Sequence, residues 1–135
     1  MTHIQDIHQS GEDYLECILL LDNRTGFVRA VDIAAELGYS KPSVSNALRI
    51  LRDRGYADVT DGRVTLTELG TETAKQVYER HSVLRRLFAD ILGVSKDVAE
   101  RDACAVEHVI SEESFTKLKL FLAMYNPDNS ANYWS

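Results

Sequence analysis

Side chains of the kinds that bind transition metals occur at helical spacing near both ends of this chain of 135 residues. Asp13 and Glu16 are three residues apart, so both carboxylates fall on one face of a helix. Cys104, Glu107 and His108 are spaced so that a thiolate, a carboxylate and an imidazole meet on one side of a second helix. Oxygen, nitrogen and sulfur ligands in one set are typical of a divalent transition-metal site.

His81 stands apart from these residues, at the edge of an apolar stripe formed by Val77, Leu84 and Phe88. A histidine in such a position is more often a hydrogen-bonded core residue than a metal ligand. A lone cysteine is often a small buried apolar residue, and two acids near the start of a helix often face solvent. The residue types alone therefore leave two open interpretations, a metal site and a set of structural polar residues.

Charge is distributed unevenly along the chain, whose net charge is −6. Residues 1–39 hold two bases against seven acids, residues 40–92 hold nine against seven, and residues 93–135 hold four against seven. The net charge argues mildly against nucleic acid as a partner. The distribution of charge favours such a partner. A basic middle between acidic ends is typical of a chain that binds an anion with one part and cations with another.

Composition and hydropathy exclude several classes of protein. The hydrophobic fraction of 44% and the charged fraction of 27% are ordinary for a globular chain of one domain or two small ones. The longest stretch without Asp, Glu, Lys or Arg covers residues 120–127, whereas a membrane span needs about 20 apolar residues. No basic segment precedes an early apolar run, and two cysteines make no disulfide framework. We therefore expect a cytoplasmic protein with no membrane partner.

Apolar periodicity predicts six helices that position these residues. A turn at residues 23–26 follows the first helix, and Gly38 ends the second. Ser40 caps the third, and Pro42 lies in its first turn, where a missing N–H costs little. The predicted helices span Ser10–Leu21, Ala30–Leu37, a third up to Arg54, Glu68–Leu92, Lys96–Ile110 and Glu112–Tyr125.

The second and third helices, joined by a tight turn that contains glycine, have the layout of a helix-turn-helix. After them, Asp61-Gly62 lies between the β-prone segments 56–60 and 63–67. Asp-Gly in this setting is a strong signal of a β-hairpin. A helix-turn-helix followed directly by a hairpin is a winged helix, and an unrelated pair of helices with a hairpin is the alternative.

The outward face of the third helix carries side chains that hydrogen-bond base edges and phosphates in a major groove. The N-terminal part of such a helix contacts bases, which favours Ser43, Ser45 and Asn46 for reading the sequence. Lys41 and Arg49 suit phosphate contacts, and a solvated polar face is the other interpretation. The predicted DNA-binding residues are Lys41, Ser43, Ser45, Asn46, Arg49, Arg52 and, just past the wing tip, Arg63.

Five segments carry a resemblance that extends from Gly11 to about Tyr125. They are Glu12-Asp13-Tyr14-Leu15-Glu16, Val31-Asp32-Ile33-Ala34 leading to Ser43-Val44-Ser45, Leu66-Thr67-Glu68-Leu69-Gly70, Arg80-His81, and Cys104-Ala105-Val106-Glu107-His108-Val109-Ile110-Ser111. With these segments the chain resembles the DtxR/MntR family of metal-dependent transcriptional repressors. The last segment is the most specific, because family members place metal ligands there with this spacing.

The resemblance implies a repressor that binds palindromic operator DNA as a homodimer built from C-terminal helices. The acidic pair of the first helix resembles the manganese-responsive branch, whereas Cys104 is similar to the iron-responsive branch. Mn²⁺ or Fe²⁺ is therefore implied, with Co²⁺ and Zn²⁺ able to bind in vitro. Arg85 and Glu100 depart from the ancillary site of the iron branch, which has a glutamate and a histidine there. The implied metal ligands are Asp13, Glu16, His81, Cys104, Glu107 and His108.

The sequence thus predicts a mainly α-helical chain with a small β-hairpin wing. A winged helix-turn-helix DNA-binding domain is expected over residues 1–70, and a helical metal-binding and dimerisation domain over residues 71–135, without the SH3-like domain of longer relatives. The predicted function is metal-dependent transcriptional regulation, not catalysis. Its partners are double-stranded DNA, a second copy of the chain and a divalent transition metal. The alternatives are a winged-helix regulator that senses oxidation of Cys104 or Cys17, one that responds to a small molecule, and a metalloenzyme.

Overall fold

A computed structural model of the protein describes residues 9–125, with side chains from residue 11 onward. The outermost parts of the predicted domains, residues 1–8 and 126–135, lie outside the described residues. The chain divides into two compact units, Met1–Glu79 and Arg80–Ser135. The domain boundary after residue 70 stays a prediction. None of the helices between residues 9 and 125 is both long enough and apolar enough to cross a bilayer.

The first unit opens with helix α1, which spans Gln9–Thr25 and is longer than predicted. The prediction of a turn from residue 23 is wrong, because the helix continues to Thr25 and ends only at Gly26, whose φ is 79°. The hydroxyl of Thr25 donates to the carbonyl of Leu21 at 2.9 Å, and the N–H of Gly26 donates to that of Asp22 at 2.8 Å. These bonds satisfy the last carbonyls of the helix, so no earlier turn is needed.

Helices α2 (Ala30–Leu37) and α3 (Lys41–Asp53) form the predicted helix-turn-helix. Gly38 adopts the left-handed conformation after α2, and its N–H donates to the carbonyl of Ala34. The side chain of Ser40 accepts a hydrogen bond from the Ser43 N–H and so caps α3. The apolar stripe of α3 is buried as its spacing predicts. Its members are Val44, Leu48 and Leu51.

A three-stranded antiparallel sheet completes the winged helix, with strand order β1-β3-β2. Strands β2 (Ala57–Thr60) and β3 (Arg63–Leu66) are the predicted hairpin. Its turn residues Asp61 and Gly62 both have positive φ, as a tight I′ turn requires. Strand β1 (Val28–Arg29) was not predicted, since two residues are too short to show an alternating pattern. It pairs with the first half of β3.

The core of the first unit lies between α1, the helix-turn-helix and the inner face of the sheet. Val31 was expected to point inward, but its side chain is 53% exposed. It is two residues from the buried Ile33, about 200° around the helix, so the two side chains cannot share one face. The largest fully buried apolar side chains of this unit are Leu15, Ile18, Val28, Ile33, Val44, Leu51, Val64 and Val77.

Helix α4 spans Glu68–Arg85, and the division between the two units falls inside it. The prediction of one α-helix up to Leu92 is wrong for its last turns, because Arg86–Ile91 is π-helical. There the N–H of Leu92 donates to the carbonyl of Leu87, five residues earlier, at 2.9 Å. A six-residue segment is too short for the apolar pattern to distinguish the two kinds of helix.

Two further helices belong to the second unit, α5 (Lys96–Val106) and α6 (Glu112–Met124). Helix α5 was expected to continue to Ile110, but it ends at Val106 and a turn follows. In this turn the N–H groups of Val109 and Ile110 both donate to the carbonyl of Val106. Ser111 caps α6 by accepting a hydrogen bond from the Ser114 N–H at 3.0 Å.

Candidate functional site

Cys104, Glu107 and His108 lie at the end of α5 and in the turn that follows it. Each offers one ligand atom, and these three atoms lie within 4.8 Å of one another. The side chain of Glu107 is completely buried and that of His108 is 3% exposed. The three residues converge although the helix ends at Val106, because Glu107 keeps right-handed helical dihedral angles of −57° and −27°. A thiol, a carboxylate and an imidazole are thus held together in the second unit.

Glu107 has a buried carboxylate oxygen that could still accept a hydrogen bond. Its Oε1 lies 3.3 Å from Nδ1 of His81 and 3.8 Å from Nε2 of His108. Its Oε2 is buried and has no hydrogen-bond partner in the part of the chain that the structure describes. Burying a carboxylate oxygen in this way is costly unless a cation or a donor reaches it. The residues present therefore fit a bound metal ion.

His81 lies on α4 between two carboxylates of the second unit. Its Nε2 is 2.6 Å from Oε1 of Glu100, and its Nδ1 faces Glu107. A carboxylate that accepts from one ring nitrogen fixes the ring and its tautomer, which leaves the other nitrogen for a metal. Arg85 Nε lies 3.9 Å from the second oxygen of Glu100. The two residues that depart from the family pattern are therefore paired with each other.

Sequence reasoning did not identify Glu100 as a partner of His81. The signal was its position four residues before Cys104, which places the two on the same face of α5.

A buried arginine holds the turn that carries Glu107. Arg80 Nη1 donates to the main-chain carbonyl of Glu107 at 3.3 Å, and Nη2 lies 3.6 Å from Oε2 of Glu112. The guanidinium group also lies 5.5 Å from the ring centre of Phe115. One side chain of α4 thus positions both the turn after α5 and the first turn of α6.

Asp13 and Glu16 lie on α1 in the first unit, and both are half-buried. Their three-residue spacing places them on one face, as predicted. Cys17, the next residue, is buried, and burial raises the pKa of its thiol to about 11, with a further contribution from the carboxylate of Glu36. A thiol of this kind is protonated at neutral pH, whereas an oxidation sensor needs a thiolate.

The predicted DNA-binding residues of α3 are exposed, and several are held in place. Ser40 donates to the hydroxyl of Ser43 at 2.9 Å. Arg49 donates to Oδ1 of Asn46 at 2.7 Å and lies 3.6 Å from Asp53. The amide oxygen of Asn46 is thus used within the chain, and Arg49 is anchored beside it. The exposed residues of this face are Lys41, Ser43, Ser45, Asn46, Arg49 and Arg52.

Arg63, the remaining predicted DNA-binding residue, is exposed at the start of β3. Its Nη2 donates to the carbonyl of Gly26 at 3.2 Å, and its guanidinium lies 5.0 Å from the ring centre of Phe27. Arg29 lies over the same ring at 5.2 Å. Phe27 and Arg29 were not identified from the sequence, because only the unpredicted strand β1 brings them to Arg63.

Comparison with known proteins gives matches over nearly the whole chain. Residues 6–63 match the model of the N-terminal DNA-binding domain of iron-dependent repressors, and residues 67–130 match that of their metal-binding and dimerisation domain. Transcriptional regulator MntR of Escherichia coli is 40% identical over 111 residues, which are 82% of this chain and 71% of the relative. Iron-dependent repressor IdeR of Mycobacterium bovis is 30% identical over 128 residues, 94% of this chain and 55% of the relative.

Among solved structures, a manganese-dependent transcriptional repressor in complex with manganese has 27% identity and a TM-score of 0.77. The match covers 85% of this chain and 53% of that one, so the chain spans about half the length of this repressor and of IdeR. The mainly helical fold with a winged helix-turn-helix is thereby confirmed. With two domain models in the expected order and a relative at 40% identity, the chain belongs to the DtxR/MntR family of iron-dependent repressors and related metal-dependent transcriptional regulators.

Proposed function

We propose that this protein represses transcription by binding palindromic operator DNA as a homodimer when Mn²⁺ or Fe²⁺ is bound. The observation that carries the proposal is the buried Oε2 of Glu107, which has no hydrogen-bond partner within residues 9–125. Around the carboxylate of Glu107 lie two imidazoles and a thiol, the residue types that hold a divalent transition metal. The same chain carries an exposed polar helix in a winged helix-turn-helix, the usual reader of a major groove.

The proposed ligands come from both parts of the sequence. Support for those of the second unit is their mutual approach around Glu107. Support for Asp13 and Glu16 is their placement on one face of α1 and the family resemblance of the segment that contains them. Manganese and iron appear in the names of two relatives, and a set that mixes carboxylates with a thiolate suits either ion. The proposed ligands are Asp13, Glu16, His81, Cys104, Glu107 and His108.

A divalent cation supplies positive charge where the proposed ligands concentrate negative charge. Without it, the carboxylates of the proposed set repel one another, and burial strengthens the repulsion. Among the arrangements that the protein adopts, metal favours the one that binds it most tightly. A shift from 1:99 to 99:1 requires a difference in affinity of about 5.5 kcal/mol between the two arrangements. Neutralised carboxylates also reduce the net charge of −6 that opposes DNA.

Dimerisation is supported by the surface of the second unit, where large apolar side chains remain exposed. A unit of this size buries few side chains of its own, and exposed apolar residues of this number suit a subunit interface. In a two-fold dimer, two winged helices reach successive major grooves about 34 Å apart, which is why the proposed operator is a palindrome. The exposed residues are Leu92, Val98, Val109, Leu120 and Met124.

The direct test is the affinity of the full chain for a palindromic duplex, measured anaerobically during titration with Mn²⁺ or Fe²⁺ and again with a chelator. Tight binding that requires metal is expected, and the order of the effective concentrations ranks the two ions. Equal affinity in the chelator would overturn the proposal. Peroxide then tests thiol sensing, since a thiol sensor would lose DNA affinity on oxidation and ignore chelation.

A further inference from the structure

We infer that Arg29, Phe27 and Arg63 form a phosphate clamp beside the wing, which holds one phosphodiester of the DNA backbone between two guanidinium groups. The inference rests on the proposed function only in taking DNA as the ligand. It concerns a binding site in the first unit that is separate from the exposed face of α3. Strand β1, which creates the site, is two residues long.

Strand pairing brings two arginine positions together. In the antiparallel pair of β1 and β3, Arg29 is directly opposite Arg63. Like charges in directly opposite positions destabilise a sheet. The carboxylate of Asp32 accepts from the main-chain N–H of Arg29 at 2.9 Å, but among the described residues no ion pair joins either guanidinium to a carboxylate. The pair is therefore suited to an anion from outside the chain.

An exposed aromatic ring orients both guanidinium groups. The side chain of Phe27 is 41% exposed, and the two arginines lie 5.2 and 5.0 Å from its ring centre. Arginine packs well against an aromatic face, and its planar fork then presents hydrogen-bond donors at its edge. The hydrogen bond from Arg63 to the Gly26 carbonyl fixes one of the two forks. Two guanidinium groups beside one exposed ring suit the oxygens of a phosphodiester.

The position of the cluster fits the DNA backbone better than a base edge. Arg63 directly follows the turn at the tip of the wing, and Arg29 directly precedes α2. The first helix of a helix-turn-helix crosses the backbone of DNA, whereas the second reads bases. A contact made here carries no sequence information and contributes equally on every duplex.

The test measures the affinity of the metal-loaded full chain for the palindrome and for an unrelated duplex over a range of salt concentrations. Loss of one phosphate contact in Arg29→Ala is expected to reduce the slope of log affinity against log salt by about 0.9 on both duplexes. Over a fourfold rise in salt, the variant then loses about 3.5-fold less affinity than the native chain. Arg101→Ala, which removes an exposed arginine from the second unit, is the matched control and should leave the slope unchanged.

Two further variants separate the clamp from a purely structural role. Arg29→Lys keeps the charge but not the planar fork, so the slope should stay while affinity falls on both duplexes. Phe27→Leu keeps apolar bulk without the aromatic face and should behave in the same way. If Arg29→Ala kept the native affinity and the native slope of log affinity against log salt, the clamp would be overturned. The proposal that the protein binds DNA would be unaffected. DNA binding that is tight but indifferent to metal would instead overturn the proposed function and leave the clamp testable.

Discussion

Glu107 is the residue on which the proposed metal chemistry depends most. It lies in a turn, it is completely buried, and one of its oxygens contacts two imidazoles while the other has no hydrogen-bond partner in the described chain. Spacing alone predicted that it would meet Cys104 and His108. Burial was not predictable, because helical spacing is the same for a solvated acid and for an enclosed one.

Glu107→Gln is expected to preserve the shape of the side chain and remove its charge. Metal affinity should fall by more than the 10–100-fold that is typical when only a neighbour of a ligand is changed. Metal-dependent DNA binding should be lost with it. Isothermal titration with Mn²⁺ and a DNA titration check both effects. Glu113→Gln removes an exposed carboxylate from α6 and serves as the control, and equal behaviour of the two variants would contradict the role of Glu107.

Glu100→Gln tests a positioning residue. The neutral amide oxygen accepts more weakly from His81 Nε2 than a carboxylate does, so the ring is held less firmly and metal affinity should fall about 10–100-fold. The absorption spectrum of bound Co²⁺ should keep its band positions, because the ligand set is unchanged. A changed spectrum would show instead that Glu100 is itself a ligand. Asp97→Asn on the same helix is the control.

Burial of Cys17 predicts how the stability of the folded chain depends on pH. Burial raises the pKa of its thiol from 9.0 to about 11, so the folded chain holds this proton more tightly than the unfolded chain. The resulting stability is fully present below pH 9 and is lost as the pH rises towards 11. Burial also raises the pKa of Tyr14, which acts in the same direction. Urea unfolding at pH 8 and pH 10.5 should show a smaller loss of stability for Cys17→Ser than for the native chain.

At the scale of elements, the presence of each predicted helix followed from periodicity, whereas the ends of α1, α4 and α5 and the short strand β1 did not. Helix α2 has its predicted bounds, and α3 and α6 end one residue earlier than predicted, because caps and glycines mark their ends. Strand β1 has no pattern of its own and forms only because β3 offers it an edge. The contacts of Arg29, Phe27 and Arg63 depend on that pairing, so no reading of local sequence reveals them.

The two serine caps allow the units to be perturbed separately. Ser40→Ala and Ser111→Ala each remove the acceptor for an N–H of the first helical turn, at a cost of about 1 kcal/mol. Because Ser40 caps the helix that carries the proposed DNA contacts, its loss should also weaken DNA binding. Urea unfolding and a DNA titration in saturating metal provide the measurements. Unweakened DNA binding in Ser40→Ala would speak against α3 as the reading helix.

For the whole molecule, the proposed ligand set predicts that metal binding stabilises the folded chain. A ligand that binds only the folded state at 100 times its dissociation constant adds about 2.7 kcal/mol. Thermal melting with Mn²⁺ should therefore occur at a higher temperature than with chelator, reversibly. Glu107→Gln should show little of this shift. A native chain that melts at the same temperature in both conditions would speak against a metal site of any composition.

Arg80 has a consequence for the way in which the second unit opens. One guanidinium contacts the carbonyl of the turn after α5, the first turn of α6 and the ring of Phe115. Because the same buried group contacts both segments, the turn after α5 and the first turn of α6 should unfold together. They should behave as one cooperative unit of local unfolding. A ligand that immobilises Glu107 then also slows the local unfolding of α6, at whose C-terminal end Met124 is exposed.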